Sequence, residues 1–255
     1  MARVRAVSHE DRLTLVEHLD ELRSRIIVSL AAFGVALALC FWQDELLLDI
    51  ANEPLPAGFK PITFSPTEPF FTTMTIAAYG AILISLPVIL YQAYAFVIPA
   101  LSPAEKRRIL PYLLAMPILF VGGVVFTYFL VVPPATNFLL NFNEQNFDIF
   151  VRAKDYYSFL GILLLLMGLA FQMPLAMIAA TRLGVVTPDQ LARSRRYAIV
   201  ILAVVAAAAP GGDPISMMLI LIPLLVLYEG GIFISRRLGV PKDLAPGPPA
   251  PEGPG

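Results

Sequence analysis

Long apolar runs separated by short polar connections dominate this chain. A helix needs about 20 apolar residues to cross the hydrocarbon core of a bilayer. Backbone in lipid must satisfy its own hydrogen bonds, so each long run is predicted to be a helix. The predicted membrane helices cover residues 26–42, 70–98, 109–133, 157–180, 197–209 and 215–234.

The fifth run, 197–209, is too short to cross a bilayer core of ordinary thickness without strain. The connection "APGGDP" joins it to the sixth run and holds no basic residue. The sequence therefore predicts that the last two helices form a tight hairpin that stops short of the far membrane surface, beside which the membrane is thinned.

Prolines lie inside several of the predicted helices, where each removes a backbone donor and tends to bend the helix. If these prolines bend their helices, the bundle is curved. If they are merely tolerated, as prolines in membrane helices can be, the bundle is straight. The prolines concerned are Pro87, Pro111, Pro117, Pro174 and Pro223.

Composition supports a membrane protein, because 58% of the residues are hydrophobic, 15% are charged and the mean hydropathy is +0.75. The segments between the apolar runs hold fifteen lysines and arginines on one side and only Lys60, Arg152 and Lys154 on the other. This asymmetry predicts that both termini are cytoplasmic. Residues 1–25 are predicted to form a cytoplasmic head with an amphipathic helix, and the Pro/Gly-rich tail 235–255 is predicted to be disordered.

Motifs of catalytic chemistry are missing from the sequence. It contains no G-x-x-x-x-G-K-[ST] phosphate loop, no H-E-x-x-H zinc motif and no G-x-S-x-G nucleophile elbow. The two histidines, His9 and His18, have no cysteine partners nearby, and the single Cys40 is expected to pack inside a helix. We therefore expect neither an enzyme nor a bound metal or cofactor.

An ion-coupled transporter of a small solute is the alternative interpretation, because polar residues deep in a membrane usually mark a pathway. The candidates are Gln172 in the fourth run and Glu229 in the sixth. Glu229 also has a simpler explanation, since its side chain can extend toward Arg236 and Arg237 at the interface. No inverted repeat of three helices is visible, which disfavours the transporter.

The acidic stretch "EHLDELRSR" comes just before the first apolar run. "TLVE" has the spacing of a capping box, which assigns Glu17 to the start of a helix. Glu21 has two interpretations. It can form an ion pair with Arg25 one turn later, or it can join Glu105 of "SPAEKRR" in binding one cationic ligand, for which the planar fork of an arginine is suited.

The order of several signatures resembles the TatC family, the multispanning receptors of the twin-arginine protein-export system. The signatures are "HLDELRSR", "EPFFTTM", "LPVILYQAYAFVIPAL", "EKRR", "GGDPIS" and "LYE", and the resemblance covers residues 14–237. It implies an all-α membrane protein of six helices in a curved, cup-shaped bundle. The last two helices are short in this family and both termini are cytoplasmic.

The resemblance also implies a site and partners. Glu21 and Glu105 would bind the paired arginines of export signal peptides, with Arg23 beside them, and Pro54 would lie in the first outer loop. TatA-type and TatB-type single-span proteins would be recruited in the bacterial inner membrane. The proton motive force would then drive folded proteins across, with no covalent chemistry.

The sequence departs from the family at several positions. Relatives often have a glutamate in the fourth helix where this chain has Gln172, which leaves a hydrogen-bonding role. Relatives commonly show "TPPD" and then "SQ" at the final outer turn, where this chain has "PGGD" and Ser216-Met217. Asp213 is kept, and contact with a single-span partner would rest on small residues around Ala207 together with Met217.

Overall fold

A computed structural model describes residues 15–97, 103–147 and 149–238. These residues are almost wholly helical, and their extended structure is limited to one parallel bridge between Ile62 and Arg152. The helices are α1 (Leu15–Trp42), α2 (Asp44–Asn52), α3 (Glu68–Val97), α4 (Pro103–Phe126), α5 (Val132–Asn141), α6 (Ala153–Ala170), α7 (Met173–Arg182), α8 (Pro188–Arg193), α9 (Arg195–Ala208) and α10 (Pro214–Leu238).

Five helical segments of the described chain are long and apolar enough to cross a membrane. They are His18–Trp42, Glu68–Phe96, Leu110–Asn141, Ala153–Arg182 and Pro214–Leu238. The remaining predicted membrane helix corresponds to α9, which has 14 residues and at 1.5 Å per residue is about 21 Å long. The all-helical membrane class is thus confirmed, and α9 is as short as the sequence suggested.

The first helix differs from its prediction. Residues up to 25 were expected to form a separate amphipathic helix on the membrane surface, but α1 runs without a break from Leu15 to Trp42. The segment contains no proline, and its only glycine is Gly34, so nothing in the sequence interrupts the backbone hydrogen bonds where the charged turns meet the apolar ones. The capping residues Thr14 and Glu17 fall on positions whose side chains lie outside the described residues.

Two of the predicted membrane helices are interrupted by proline. A π-helical turn, Thr127–Val131, joins α4 to α5, because Pro133 and Pro134 have no N–H with which to continue the α-helical ladder. Pro174 similarly lies in the first turn of α7, which begins at Met173 directly after the break at Gln172. The other prolines predicted to bend the bundle lie inside unbroken helices.

The final helix is longer than predicted. We expected two short helices at the end of the chain and disorder from residue 235, but α10 has 25 residues and continues to Leu238. Ser235 is buried, so the last turn packs against the protein and remains helical. Only α9 of the last pair is therefore short, and residues 239–255 of the predicted tail lie outside the described residues.

The main core forms around α6. Leu163 and Met167 of this helix have no exposed surface, and Val132, Ile220 and Leu224 pack in the same cluster. A second, smaller cluster of Ala36, Cys40, Ala77 and Ala81 joins α1 to α3, as expected for a cysteine that packs inside a helix bundle. Small side chains at this contact let the two backbones approach closely.

Candidate functional site

The bundle has two ends with different chemistry. The loop end comprises α2 and the described residues of three connections, 53–67, 142–147 with 149–152, and 209–213. The terminal end comprises the start of α1, the end of α3, the segment between α7 and α9, and the end of α10. His18 stacks on Phe96 with ring centroids 4.2 Å apart, which places the start of α1 beside the end of α3.

Glu21 at the terminal end is held by Arg25. Arg25 Nε donates to Glu21 Oε1 at 3.1 Å, and Arg25 Nη2 contacts the same oxygen. Arg25 Nη1 donates in turn to Gln92 Oε1 of α3 at 3.1 Å. The Arg25 and Glu21 side chains are 22% and 24% exposed, so solvent still reaches both. The structure therefore contains the intrahelical ion pair that was one of the two interpretations of Glu21.

A groove of about 460 Å³ lies between α1 and α3 next to this ion pair. Arg25 and Gln92 line its polar part, and the remaining walls are largely apolar. The apolar lining includes Leu22, Ile26, Phe33, Ile89 and Phe96. A charged group bound at Glu21 would thus have an apolar surface beside it.

The other predicted residues of the terminal end are only partly described. The side chains of Arg23 and Asp20 are both described and both exposed. They form no ion pair with each other. The backbone of Glu105 lies in the first turn of α4, but its side chain is outside the described residues. The predicted convergence of Glu21 and Glu105 therefore stays a prediction.

Pro54 lies at the loop end, where polar side chains from later helices hold the first connection. Its carbonyl accepts a hydrogen bond from Thr136 Oγ1 at 3.2 Å. Three tyrosines add further bonds to α2: Tyr128 OH to the Ile50 carbonyl at 2.6 Å, Tyr156 OH to the Ala51 carbonyl at 2.7 Å, and Tyr157 OH to Asn52 Oδ1 at 3.0 Å. The surroundings of Pro54 are those of a structural anchor.

One ion pair at the loop end was not singled out from the sequence. Arg152 Nε donates to Glu68 Oε1 at 2.7 Å, and Glu68 Oε2 accepts the Phe64 amide at 2.9 Å. Glu68 is the first residue of α3 and is buried. The motif "EPFFTTM" contained this glutamate, but its partner lies 84 residues away and no local spacing could identify it.

Gln172 is buried at the break between α6 and α7. Its Nε2 donates to the Met116 carbonyl at 3.2 Å, which links the break to α4. Its Oε1 has no partner among the described residues. The hydrogen-bonding role predicted for Gln172 is thus present for one of its two polar atoms.

The hairpin between α9 and α10 is built on two glycines and Asp213. Gly211 and Gly212 have φ angles of 121° and 65°, a region that favours glycine. Asp213 Oδ1 accepts the amides of Ile215 at 3.0 Å and Ser216 at 2.8 Å, which caps α10. Partial burial raises the pKa of the Asp213 carboxyl, but hydrogen bonds from Ser216 and Ile215 outweigh it and leave the pKa below its ordinary value.

The predicted partner-contact residues near this hairpin have different surroundings. Ala207 is exposed on α9, in a face that also exposes Val200 and Val204. Met217 is half-buried and packs against the main core. Ala207 is therefore available to a partner helix, whereas Met217 contributes at least partly to the packing of α10.

Glu229 has a different partner from the one expected. It was predicted to extend toward Arg236 and Arg237, but Arg195 Nη2 of α9 donates to its Oε2 at 2.8 Å. Arg236 donates instead to Asp189 of α8 at 3.2 Å. Both pairs are exposed and lie at the terminal end, where α8 and the start of α9 meet α10.

Comparison with known proteins identifies relatives that carry one family name. A family model described as TatC, Sec-independent protein translocase protein, matches residues 17–223. The chain is 40% identical over 229 residues to the Sec-independent protein translocase protein TatC of Aquifex aeolicus (strain VF5), an alignment that covers 88% of this chain and 95% of that protein. It is 36% identical over 235 residues to the chloroplastic TATC of Arabidopsis thaliana, covering 90% of this chain and 68% of that protein.

The fold is similar to that of a solved relative. A crystal structure of the twin arginine translocase receptor TatC in DDM superposes with a TM-score of 0.77 at 40% identity. The match covers 86% of this chain and 99% of the crystallised one. Sequence and structure comparisons therefore agree over nearly the whole described part of the chain.

Proposed function

Because this chain belongs to the TatC family of Sec-independent protein translocase subunits, we propose that it is the receptor for twin-arginine signal peptides of folded proteins. The family transports proteins and is not a family of catalytic enzymes. Membership also favours this function over the transport of a small solute.

The observation that carries the proposal is the state of the Glu21 carboxylate. Both contacts from Arg25 go to Oε1, and no described residue donates to Oε2. An ionised carboxylate has about four acceptor positions, so Oε2 can accept a hydrogen bond from the guanidinium of a ligand that approaches from solvent. Glu105, in the first turn of α4, is proposed to supply the second carboxylate, and Arg23 to border the pair.

The groove beside Glu21 suits the remainder of a signal peptide. Export signals carry an apolar region next to their charged region. The groove between α1 and α3 presents Arg25 and Gln92 at its polar part and Ile26, Phe33 and Ile89 along its walls. We infer that the arginine pair binds at the rim while the apolar region follows the groove.

Assembly completes the proposed function. The chain would span the bacterial inner membrane six times, with α9 as the short fifth crossing in a cup-shaped bundle and both termini in the cytoplasm. TatA-type and TatB-type single-span proteins would join it to form a Tat complex, and the proton motive force would drive export. The exposed small residues around Ala207 are the proposed contact for such a partner helix.

Binding of a labelled twin-arginine signal peptide to the purified protein tests the proposal. A charge-assisted hydrogen bond contributes about 1.5 to 3 kcal/mol, so Glu21→Gln and Glu105→Gln should each weaken binding by about tenfold or more. Asp20→Asn is the matched control, because Asp20 is an exposed acid on the same helix turn, and it should change affinity less than about twofold.

A peptide with two lysines in place of the arginines should bind the wild-type protein more weakly, since a lysine lacks the bidentate fork. Undiminished binding by Glu21→Gln, or an equal loss with Asp20→Asn, would contradict the assignment of the site.

A further inference from the structure

A polar recess of about 240 Å³ lies at the loop end beside the Glu68–Arg152 pair. Its lining contains two cations, Arg152 and Lys154, and one acid, Glu68, whose carboxylate is already engaged by Arg152. No described acid forms an ion pair with Lys154. The residues that line the recess therefore carry a net positive charge, although the loop end as a whole has few basic residues.

Backbone and hydroxyl groups add to the polar character of the recess. The 30-residue α3 begins at Glu68 and the 18-residue α6 begins at Ala153, so two helix N-termini with their positive dipole ends meet there. Thr72 also lines the recess and is only 5% exposed, and its Oγ1 has no hydrogen-bond partner among the described residues. By contrast, Thr75 donates to the Phe71 carbonyl at 2.7 Å.

An apolar groove of about 340 Å³ continues from the recess along α3. The recess and the groove share Phe71 and Thr75, and the groove ends at Ile82. At 1.5 Å per residue, the distance from Phe71 to Ile82 is about 16 Å, which is close to half of the roughly 30 Å hydrocarbon core. The groove thus has the length of one membrane leaflet.

The recess also lies at the depth of a lipid headgroup. Two of the apolar segments that can cross a membrane, Glu68–Phe96 and Ala153–Arg182, both begin at the ion pair that borders it. The polar recess consequently marks the boundary of the membrane, and the groove below it lies within the hydrocarbon.

We propose that this recess and groove bind one anionic glycerophospholipid. Lys154 and the donors of Arg152 that are not bonded to Glu68 hold the phosphate, and one acyl chain follows the groove from Phe71 to Ile82. The charge of the recess favours an anion, and its volume is too small for a helix of about 10 Å diameter. This inference is independent of the signal-peptide site, because no residue is shared with it.

Native mass spectrometry of the full-length protein in detergent, titrated with phosphatidylglycerol or phosphatidylcholine, tests the proposal. The wild-type protein should bind one phosphatidylglycerol more tightly than phosphatidylcholine. Lys154→Gln should weaken phosphatidylglycerol binding by about fivefold, the effect of one lysine near an anionic headgroup. Lys60→Gln, which removes an exposed lysine of the same end that does not line the recess, should change it less than about twofold.

A second variant tests the groove. Ala78→Phe fills the groove below the recess and should weaken binding of both lipids, whereas Ala38→Phe, at an exposed alanine of α1, should not. Soluble glycerol phosphate should fail to compete with the lipid.

Three results would overturn the proposal. These are equal losses with Lys154→Gln and Lys60→Gln, several phosphatidylglycerols bound with one affinity, and competition by glycerol phosphate at the concentration at which the lipid binds. The last result would indicate a site for free anions. Melting temperatures of all variants show whether a loss of binding reflects unfolding, and Lys154→Gln, an exposed substitution, is expected to fold normally.

Discussion

The loop end and the terminal end of the bundle are held in opposite ways. At the loop end, hydroxyl and guanidinium groups from the second half of the sequence bind the segment 50–68 across separations of 78 to 105 residues. At the terminal end, Tyr228 OH donates to the Leu191 carbonyl, but most of the polar links between helices involve exposed charged side chains, such as Arg195 with Glu229 and Arg236 with Asp189. The first kind of link fixes one geometry, whereas the second exchanges easily with other charged groups.

The difference has an energetic basis. A buried hydroxyl or carbonyl left without its partner costs about 1 to 3 kcal/mol, whereas an exposed ion pair contributes about 0 to 1 kcal/mol. The loop end should therefore determine stability, and the terminal end should be free to bind charged ligands. Substitutions at the two ends can confirm or refute this contrast.

Gly161→Ala should have the largest effect on stability. A Cβ at Gly161 would lie 2.3 Å from Tyr79 Cγ, so α6 and α3 would have to separate or the ring would have to move. Overpacking of this kind costs up to about 3 kcal/mol. Thermal unfolding in detergent measures the loss. Gly122→Ala is the control, because a Cβ at Gly122 would meet nothing within 4 Å, and it should be neutral or slightly stabilising.

Tyr156→Phe should have the next largest effect. The substitution removes the hydroxyl that donates to the Ala51 carbonyl at 2.7 Å, inside the main core, and should lower the free energy of unfolding by about 1.5 kcal/mol. Tyr91→Phe provides the comparison, since Tyr91 is 57% exposed on α3, and its effect should be near zero. Equal losses in the two variants would refute the proposed difference between the ends.

Asp213→Ala should cost about 1 kcal/mol at neutral pH, the usual contribution of a helix N-cap. Because folding lowers the pKa of Asp213, its contribution is complete above the ordinary carboxyl pKa of about 3.9 and is lost as the pH falls through the lower folded value. The difference in melting temperature between wild type and Asp213→Ala should thus shrink below about pH 4. A difference that stays constant well below that pH would show that the carboxylate charge is not involved.

The sequence predicted the helical membrane fold well, because apolar runs report directly on residues that must leave water. It placed α3, α9 and the start of α10 within two residues of their observed bounds. It missed the continuity of α1, where charged turns were taken for a separate helix, and the length of α10, whose last turn is stabilised by packing of Ser235. Both misses occurred where tertiary contacts and backbone continuity outweigh composition.

Site residues were predictable where the signal is local. The spacing of Glu21 and Arg25 gave their ion pair as one of its two interpretations. The cap that Asp213 forms on α10 was not predicted, because Asp213 was noted only as a residue of the final outer turn. The role of Gln92 as acceptor for Arg25 was not predictable, because the two residues are 67 positions apart. The Glu68–Arg152 pair was missed for the same reason.

Arg25→Gln should have the smallest effect on stability and the most informative effect on function. An ion pair between residues four apart on a helix contributes about 0.3 to 0.5 kcal/mol, so the melting temperature should hardly change. Under the proposed function, however, Arg25 competes with the signal peptide for the Glu21 carboxylate. Its removal should strengthen binding of a twin-arginine peptide by about fivefold, which corresponds to one screened charge–charge contact.

Two controls separate this competition from a general change of charge. Arg237→Gln makes the same change at the terminal end, where Arg237 lies over the Phe233 ring, and should alter affinity less than about twofold. In a Glu21→Gln background, Arg25→Gln should have no effect on affinity, because the contested carboxylate is gone. If Arg25→Gln weakens binding instead, the Arg25–Gln92 contact orients Glu21 for its ligand, and the terminal end is as preorganised as the loop end.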